Sequence, residues 1–168
     1  MSSTGGNGGA TRLPTLGRRG EGWVAGQILL IAAVFLSALV GRGWSSGYAV
    51  AAYTLGGTLF ALGLLLLSTA GLQLGTSLTP FPAPQEGQHL TTTGAFALVR
   101  HPMYGGGILI ALGWTIIFAS VIGLGLTLVL AIFLDLKARR EEVWLGESLD
   151  GYEAYQERTP RKLLPFVY

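Results

Sequence analysis

Residues 103–134 read Met-Tyr-Gly-Gly-Gly-Ile-Leu-Ile-Ala-Leu-Gly-Trp-Thr-Ile-Ile-Phe-Ala-Ser-Val-Ile-Gly-Leu-Gly-Leu-Thr-Leu-Val-Leu-Ala-Ile-Phe-Leu, 32 positions without a charged side chain. As one helix they would extend about 48 Å at 1.5 Å per residue. That is too long for one crossing of a hydrocarbon core of roughly 30 Å and slightly short for two comfortable ones. Ser120, Gly123 and Gly125 offer a turn near the middle, so the stretch reads as a helical hairpin. The bases arbitrate in the same direction. A hairpin brings both chain ends to one side and gathers Arg12, Arg18, Arg19, Arg100, Lys137, Arg139 and Arg140 there, leaving Arg42 opposite, as the positive-inside tendency prefers.

Working outward, Trp23–Val40 and Tyr48–Gly75 are also charge-free and long enough to span. The expected fold class is therefore an all-α integral membrane protein of about four transmembrane helices, multi-pass, with N and C termini cytoplasmic. Composition agrees. Of 168 residues only 12% are charged, against about a quarter in soluble domains. Gly57 and Ala61 lie four apart in the second span and offer either a small-residue packing face or plain filling. Residues 1–20, rich in Gly, Ser and Thr, read as a disordered cytoplasmic tail. A signal peptide fits less well, because the following apolar run is too long and lacks a clear cleavage site. Residues 21–168 form one domain.

Between the second span and the hairpin, Thr79–Pro84 alternates prolines and is expected to be extended. Residues 85–99 read as a polar loop. Pro102 suits the first turn of a helix, where its missing N–H costs nothing. From Asp135 the sequence turns amphipathic, as a helix leaving the membrane. Residues 152–166 mix aromatics with bases, like an interfacial segment.

Two polar clusters flank the hairpin. Arg100-His101 precedes it, followed by Pro-Met-Tyr and three glycines, which either open a helix N-terminus to a ligand carboxylate or allow close packing. Glu141-Glu142 follows it. A partly desolvated carboxylate there would hold an ammonium or sulfonium, although Lys137, one turn away, offers Glu141 an internal partner. The absence of cysteine and the presence of only His89 and His101 exclude thiolate and multi-histidine metal sites. No phosphate loop, HExxH or Ser-His-Asp order is present, and the net charge of +2 gives no nucleic-acid surface. No metal and no nucleic acid are expected as partners.

Arg100-His101-Pro102-Met103-Tyr104 with Gly106 resembles the Arg-His-Pro-x-Tyr-x-Gly motif of the isoprenylcysteine carboxyl methyltransferase and phospholipid methyltransferase superfamily. Glu141-Glu142-x-x-Leu145, Tyr152, Tyr155, Pro160 and Leu164-Pro165-Phe166 resemble its second half. The likeness runs over residues 79–166. It implies a membrane enzyme using S-adenosyl-L-methionine, bound by Gln88, His89, Leu90, Thr91, His101, Pro102, Met103, Tyr104 and Glu141. It implies that Lys137 faces the acceptor. From their charge and place, Arg100 and Glu142 are the expected catalytic residues: Arg100 or Lys137 would orient an anionic acceptor, and Glu142 would accept a proton if the acceptor were an amine. Phe96 and Gln88 stand where the eukaryotic enzymes carry tyrosine and histidine, and Lys137 where they carry arginine. The expected reaction is methyl transfer to a lipophilic acceptor among or beside the membrane lipids, a carboxylate like that of isoprenylcysteine first. Methylation of a lipid amine, an NADPH-dependent reductase of the sterol-reductase type, a non-enzymatic scaffold and a small transporter are the alternatives.

Overall fold

The computed structural model describes residues 13–83 and 89–165. Among them every regular element is helical: α1 (Glu21–Leu36), α2 (Ser46–Leu74), α3 (Ala95–Leu98), α4 (Pro102–Ile117), α5 (Val121–Ser148) and α6 (Tyr152–Arg158). Short 3-10 turns continue α1 over Ser37–Val40 and α2 over Gly75–Ser77. Three stretches, Glu21–Val40, Ser46–Ser77 and Val121–Ser148, are long and apolar enough to cross a membrane, and α4 is a shorter apolar helix beside them. Large apolar side chains such as Leu29, Leu39, Val50 and Leu72 face outward, as spans surrounded by lipid require.

The hairpin is present. α4 ends at Ile117 and α5 begins at Val121, with Ala119 in the left-handed region (φ 51°) making the reversal. Ser120 caps α5: its hydroxyl accepts from the Gly123 N–H at 3.0 Å and donates to the Ser37 carbonyl at 2.9 Å. Gly123 and Gly125 lie inside α5, not in the turn. Gly123 serves packing, since a Cβ there would overlap Ser37 and Thr115. Ser120→Ala is expected to lower stability by about 1–2 kcal/mol, the usual loss for an N-cap. Thermal unfolding of the detergent-solubilised protein measures it, and an unchanged midpoint would refute the cap's role.

Close backbone approach fixes the helix order. α2 and α4 run antiparallel along a glycine seam. A Cβ on Gly56 would lie 2.8 Å from the Gly113 carbonyl oxygen, and one on Gly63 would lie 2.7 Å from that of Gly106. Without a hydrophobic drive between helices in lipid, such backbone proximity is what associates them. The seam is therefore Gly56/Gly63 and not Gly57/Ala61: Gly57 faces open space and Ala61 is exposed. α1 packs on α5, with Gly26 against Phe133 and Trp23 tilted on the same ring at 5.2 Å. α1 and α2, though consecutive, do not pack on each other among the described residues.

Pro102 occupies the first turn of α4, as expected. The segment 85–99 is not wholly loop, because its Ala95–Leu98 part forms α3. The Ala95 N–H donates to Gln73 Oε1 at 3.0 Å, which ties α3 to α2. α5 continues unbroken through the charged sequence after Leu134. Ahead of α1, Trp23 Nε1 donates to the Pro14 carbonyl at 3.1 Å, and Arg19 stacks over Phe81 at 4.7 Å. Met1–Arg12, Gln88 and Phe166 lie outside the described residues.

Candidate functional site

At the end of the bundle where α4 begins and α5 becomes charged, a cavity of about 380 Å³ opens. Its size falls within the range of small-molecule sites. One side is made by Gln27 of α1, Leu67 and Leu74 of α2, and Ser77–Pro80. The other is made by His89-Leu90-Thr91, Phe96, the start of α4, the end of α5, and Tyr152 and Tyr155 of α6. The structure brings Arg100, His101, Pro102, Met103, Tyr104, Lys137 and Glu141 to the same wall. Of the described site residues expected from sequence, Glu142 alone does not line it.

The helix α4 positions the first group. His101 is its N-cap and Tyr104 lies in its first turn, so their rings stack nearly parallel (3°) at 5.4 Å. The Tyr104 hydroxyl donates to Glu141 Oε2 at 2.7 Å. Glu141 Oε2 also lies 3.7 Å from His101 Nδ1. Behind them Glu142 accepts from Arg100 Nε at 2.7 Å and meets His101 Nε2 at 3.1 Å. Both side chains of the Arg100–Glu142 pair are about nine-tenths buried (10% and 12% exposed). The two acids thus have separate posts: Glu141 faces the cavity, and Glu142 anchors the wall.

The C-terminal segment closes that wall. Arg100 Nη1 donates to the carbonyls of Thr159 (2.8 Å) and Pro160 (2.7 Å), while the Arg100 and His101 amides donate to those of Arg161 and Lys162. Lys162 Nζ then pairs with Asp135 at 2.8 Å. Gly105 permits the fit, because a Cβ there would overlap the Leu163 carbonyl. Of the glycine trio, Gly105 and Gly106 therefore serve packing against the tail and α2, and Gly107 faces open space. Met103, in the first turn of α4, lines the cavity, and helix N–H groups in that turn have no intrahelical acceptor.

Lys137 is 1% exposed. Its Nζ donates to Gln27 Oε1 at 2.6 Å and to the Pro80 carbonyl at 3.0 Å, and lies 5.2 Å above the Tyr104 ring centre. The expected alternative of a Lys137–Glu141 pair is not formed; Glu141's hydrogen bond comes from Tyr104. On α6, burial raises both tyrosines. Tyr152 moves well above its ordinary value, aided by the negative charge of Glu142 and Glu141. Tyr155 is pushed up to about 12 by burial, with Arg100 opposing and Glu142 adding. Both remain neutral hydroxyls at physiological pH, and Tyr155 donates to the Phe96 carbonyl at 2.7 Å.

Sequence reading missed Pro80, Tyr152 and Tyr155 as wall, and Gln27 as the partner of Lys137. Gln27 carried a signal, being a polar side chain in a charge-free span, where such residues mark function by default.

An all-helical membrane protein with a small-molecule cavity at the polar end of its spans is the class that fold and site define. Residues 51–150 match the phospholipid methyltransferase family, and the chain belongs to it. A protein-S-isoprenylcysteine O-methyltransferase of Schizosaccharomyces pombe is 34% identical over 103 residues, covering 59% of this chain and 44% of that protein. A delta(14)-sterol reductase of Mus musculus is 31% identical over 85 residues, covering 49% of this chain and 20% of that protein. The chain spans less than half the length of either relative.

Proposed function

We propose that the protein transfers a methyl group from S-adenosyl-L-methionine to a lipophilic acceptor at the boundary between membrane and cytosol. The observation that carries this reading is the Tyr104–Glu141 pair at the wall of a cavity between apolar spans and a polar rim. The donor set fits the cofactor: a carboxylate suits an ammonium or sulfonium, the Met103 amide suits a carboxylate, and tyrosine and leucine walls suit a flat heterocycle. His89, Leu90, Thr91, His101, Pro102, Met103, Tyr104 and Glu141 would hold it; Gln88 adjoins this group in sequence. S-adenosylmethionine supplies an electrophilic methyl carbon on sulfur.

The chain's own contribution is alignment and exclusion of water, each worth several kcal/mol in such sites. A lipophilic acceptor would lie against Leu67, Leu74 and Leu78 of the cavity wall. Lys137 would orient its reacting end. An ionised carboxylate like that of isoprenylcysteine needs no general base, and this is the acceptor class we favour over a lipid amine. Glu142 is bound to Arg100 and His101, so both Arg100 and Glu142 are assigned a positioning role rather than proton transfer. The cavity end and both termini are assigned to the cytosol on the distribution of bases.

Calorimetric titration of the solubilised protein with S-adenosylhomocysteine and, separately, NADPH tests the reading. Saturable binding of the first is expected. NADPH binding instead would move the chain toward the reductases, as the murine sterol-reductase likeness allows. Binding of neither by folded protein would favour the scaffold.

A further inference from the structure

We propose that Gln27 is a specificity-determining residue: with the Pro80 carbonyl it holds the Lys137 ammonium at the cavity wall and so selects an anionic acceptor over an amine. The inference rests on the methyltransferase reading and adds to it the role of α1.

Lys137 is almost wholly buried yet lines the cavity. Its two hydrogen-bond partners, Gln27 Oε1 and the Pro80 carbonyl, are neutral. The acid on its own helix face, Glu141, is engaged by the Tyr104 hydroxyl, and among the described residues no carboxylate reaches ion-pairing distance of Nζ. An ammonium has three N–H donors. Two are taken, and one is left for a ligand. Glu141 bears on Lys137 only through space, beyond ion-pairing distance and already bound by the Tyr104 hydroxyl, so the ammonium lacks the direct counter-charge that burial normally demands. A ligand that brings an anion supplies it in a site of low dielectric, where the attraction is strong. An ammonium-bearing acceptor would place a second cation there.

The partner's identity matters. Glutamine accepts from Lys137 without cancelling its charge, whereas glutamate at the same position would form the ion pair internally. The α1 contact is also long-range, 110 residues apart in sequence, so it couples the first span to the chemistry at the last. Helix α1 is thereby part of the acceptor site and not only a packing partner of α5.

The test uses the full chain in detergent, saturated with S-adenosylhomocysteine, titrated with three farnesyl thioethers: S-farnesyl-3-thiopropanoate, its methyl ester and S-farnesylcysteamine. The carboxylate is expected to bind about tenfold or more tightly than the amine, the order of a desolvated charge contact. In Gln27→Glu that ratio should fall to near parity, because the introduced carboxylate pairs with Lys137 internally. Gln27→Leu removes the carbonyl without adding charge, and should weaken the carboxylate while sparing the ester. Equal binding of carboxylate and amine by the wild-type protein, or a ratio unmoved by both variants, overturns the inference. Failure of the wild-type protein to bind S-adenosylhomocysteine overturns the methyltransferase reading instead.

Discussion

Glu141→Ala is expected to raise the dissociation constant for S-adenosylhomocysteine by roughly 30-fold or more, about 2 kcal/mol, the usual worth of a hydrogen bond to a charged group. The reason is that Glu141 is the acid at the cavity wall, held there by the Tyr104 hydroxyl at 2.7 Å. The ligand's ammonium has no other assigned counter-charge. Glu141→Gln keeps the shape and a hydrogen-bond acceptor but loses the charge, and should fall between. Tyr104→Phe leaves the carboxylate present but unoriented; a loss of a few-fold is expected, the worth of one ordinary hydrogen bond at about 1 kcal/mol. Calorimetry on the three variants orders them. Unchanged affinity in Glu141→Ala would remove Glu141 from the cofactor site and leave the cavity without its principal anchor.

What the sequence made legible follows from the range of each interaction. The hairpin could be read because its argument is arithmetic: 32 apolar residues exceed one crossing, and Ser120 is a cap type in the right place. The Arg100–Tyr104 cluster could be read because it is local, five residues on one helix start. The helix faces could not. α2 is apolar all round, so no periodicity distinguishes Gly56 and Gly63, which touch α4, from Gly57, where an added Cβ would meet open space. In a lipid-facing helix the usual polar stripe that marks the outside is missing. The division of labour between Glu141 and Glu142 was equally hidden. Adjacent residues on a helix point about 100° apart, yet which one faces the cavity depends on where α4 and the C-terminal segment pack. The partner of Lys137 lay on another span, and no spacing rule connects positions 27 and 137.

Arg100→Met is expected to destabilise the protein by about 3–5 kcal/mol, the loss typical when one member of a buried ion pair is removed. Arg100 holds three partners at once: Glu142, and the carbonyls of Thr159 and Pro160. Its removal leaves a carboxylate uncompensated inside the wall and frees the segment that closes over Gly105. Adding Glu142→Met to Arg100→Met should restore part of the stability, because two apolar side chains no longer carry a buried charge. That recovery separates an architectural arginine from a catalytic one. A residue needed only for chemistry would leave the unfolding midpoint unchanged in both variants, and the second substitution would rescue nothing. If instead the single variant unfolds early and the double variant regains S-adenosylhomocysteine binding, the Arg100–Glu142 pair is the hinge pin of the cavity wall.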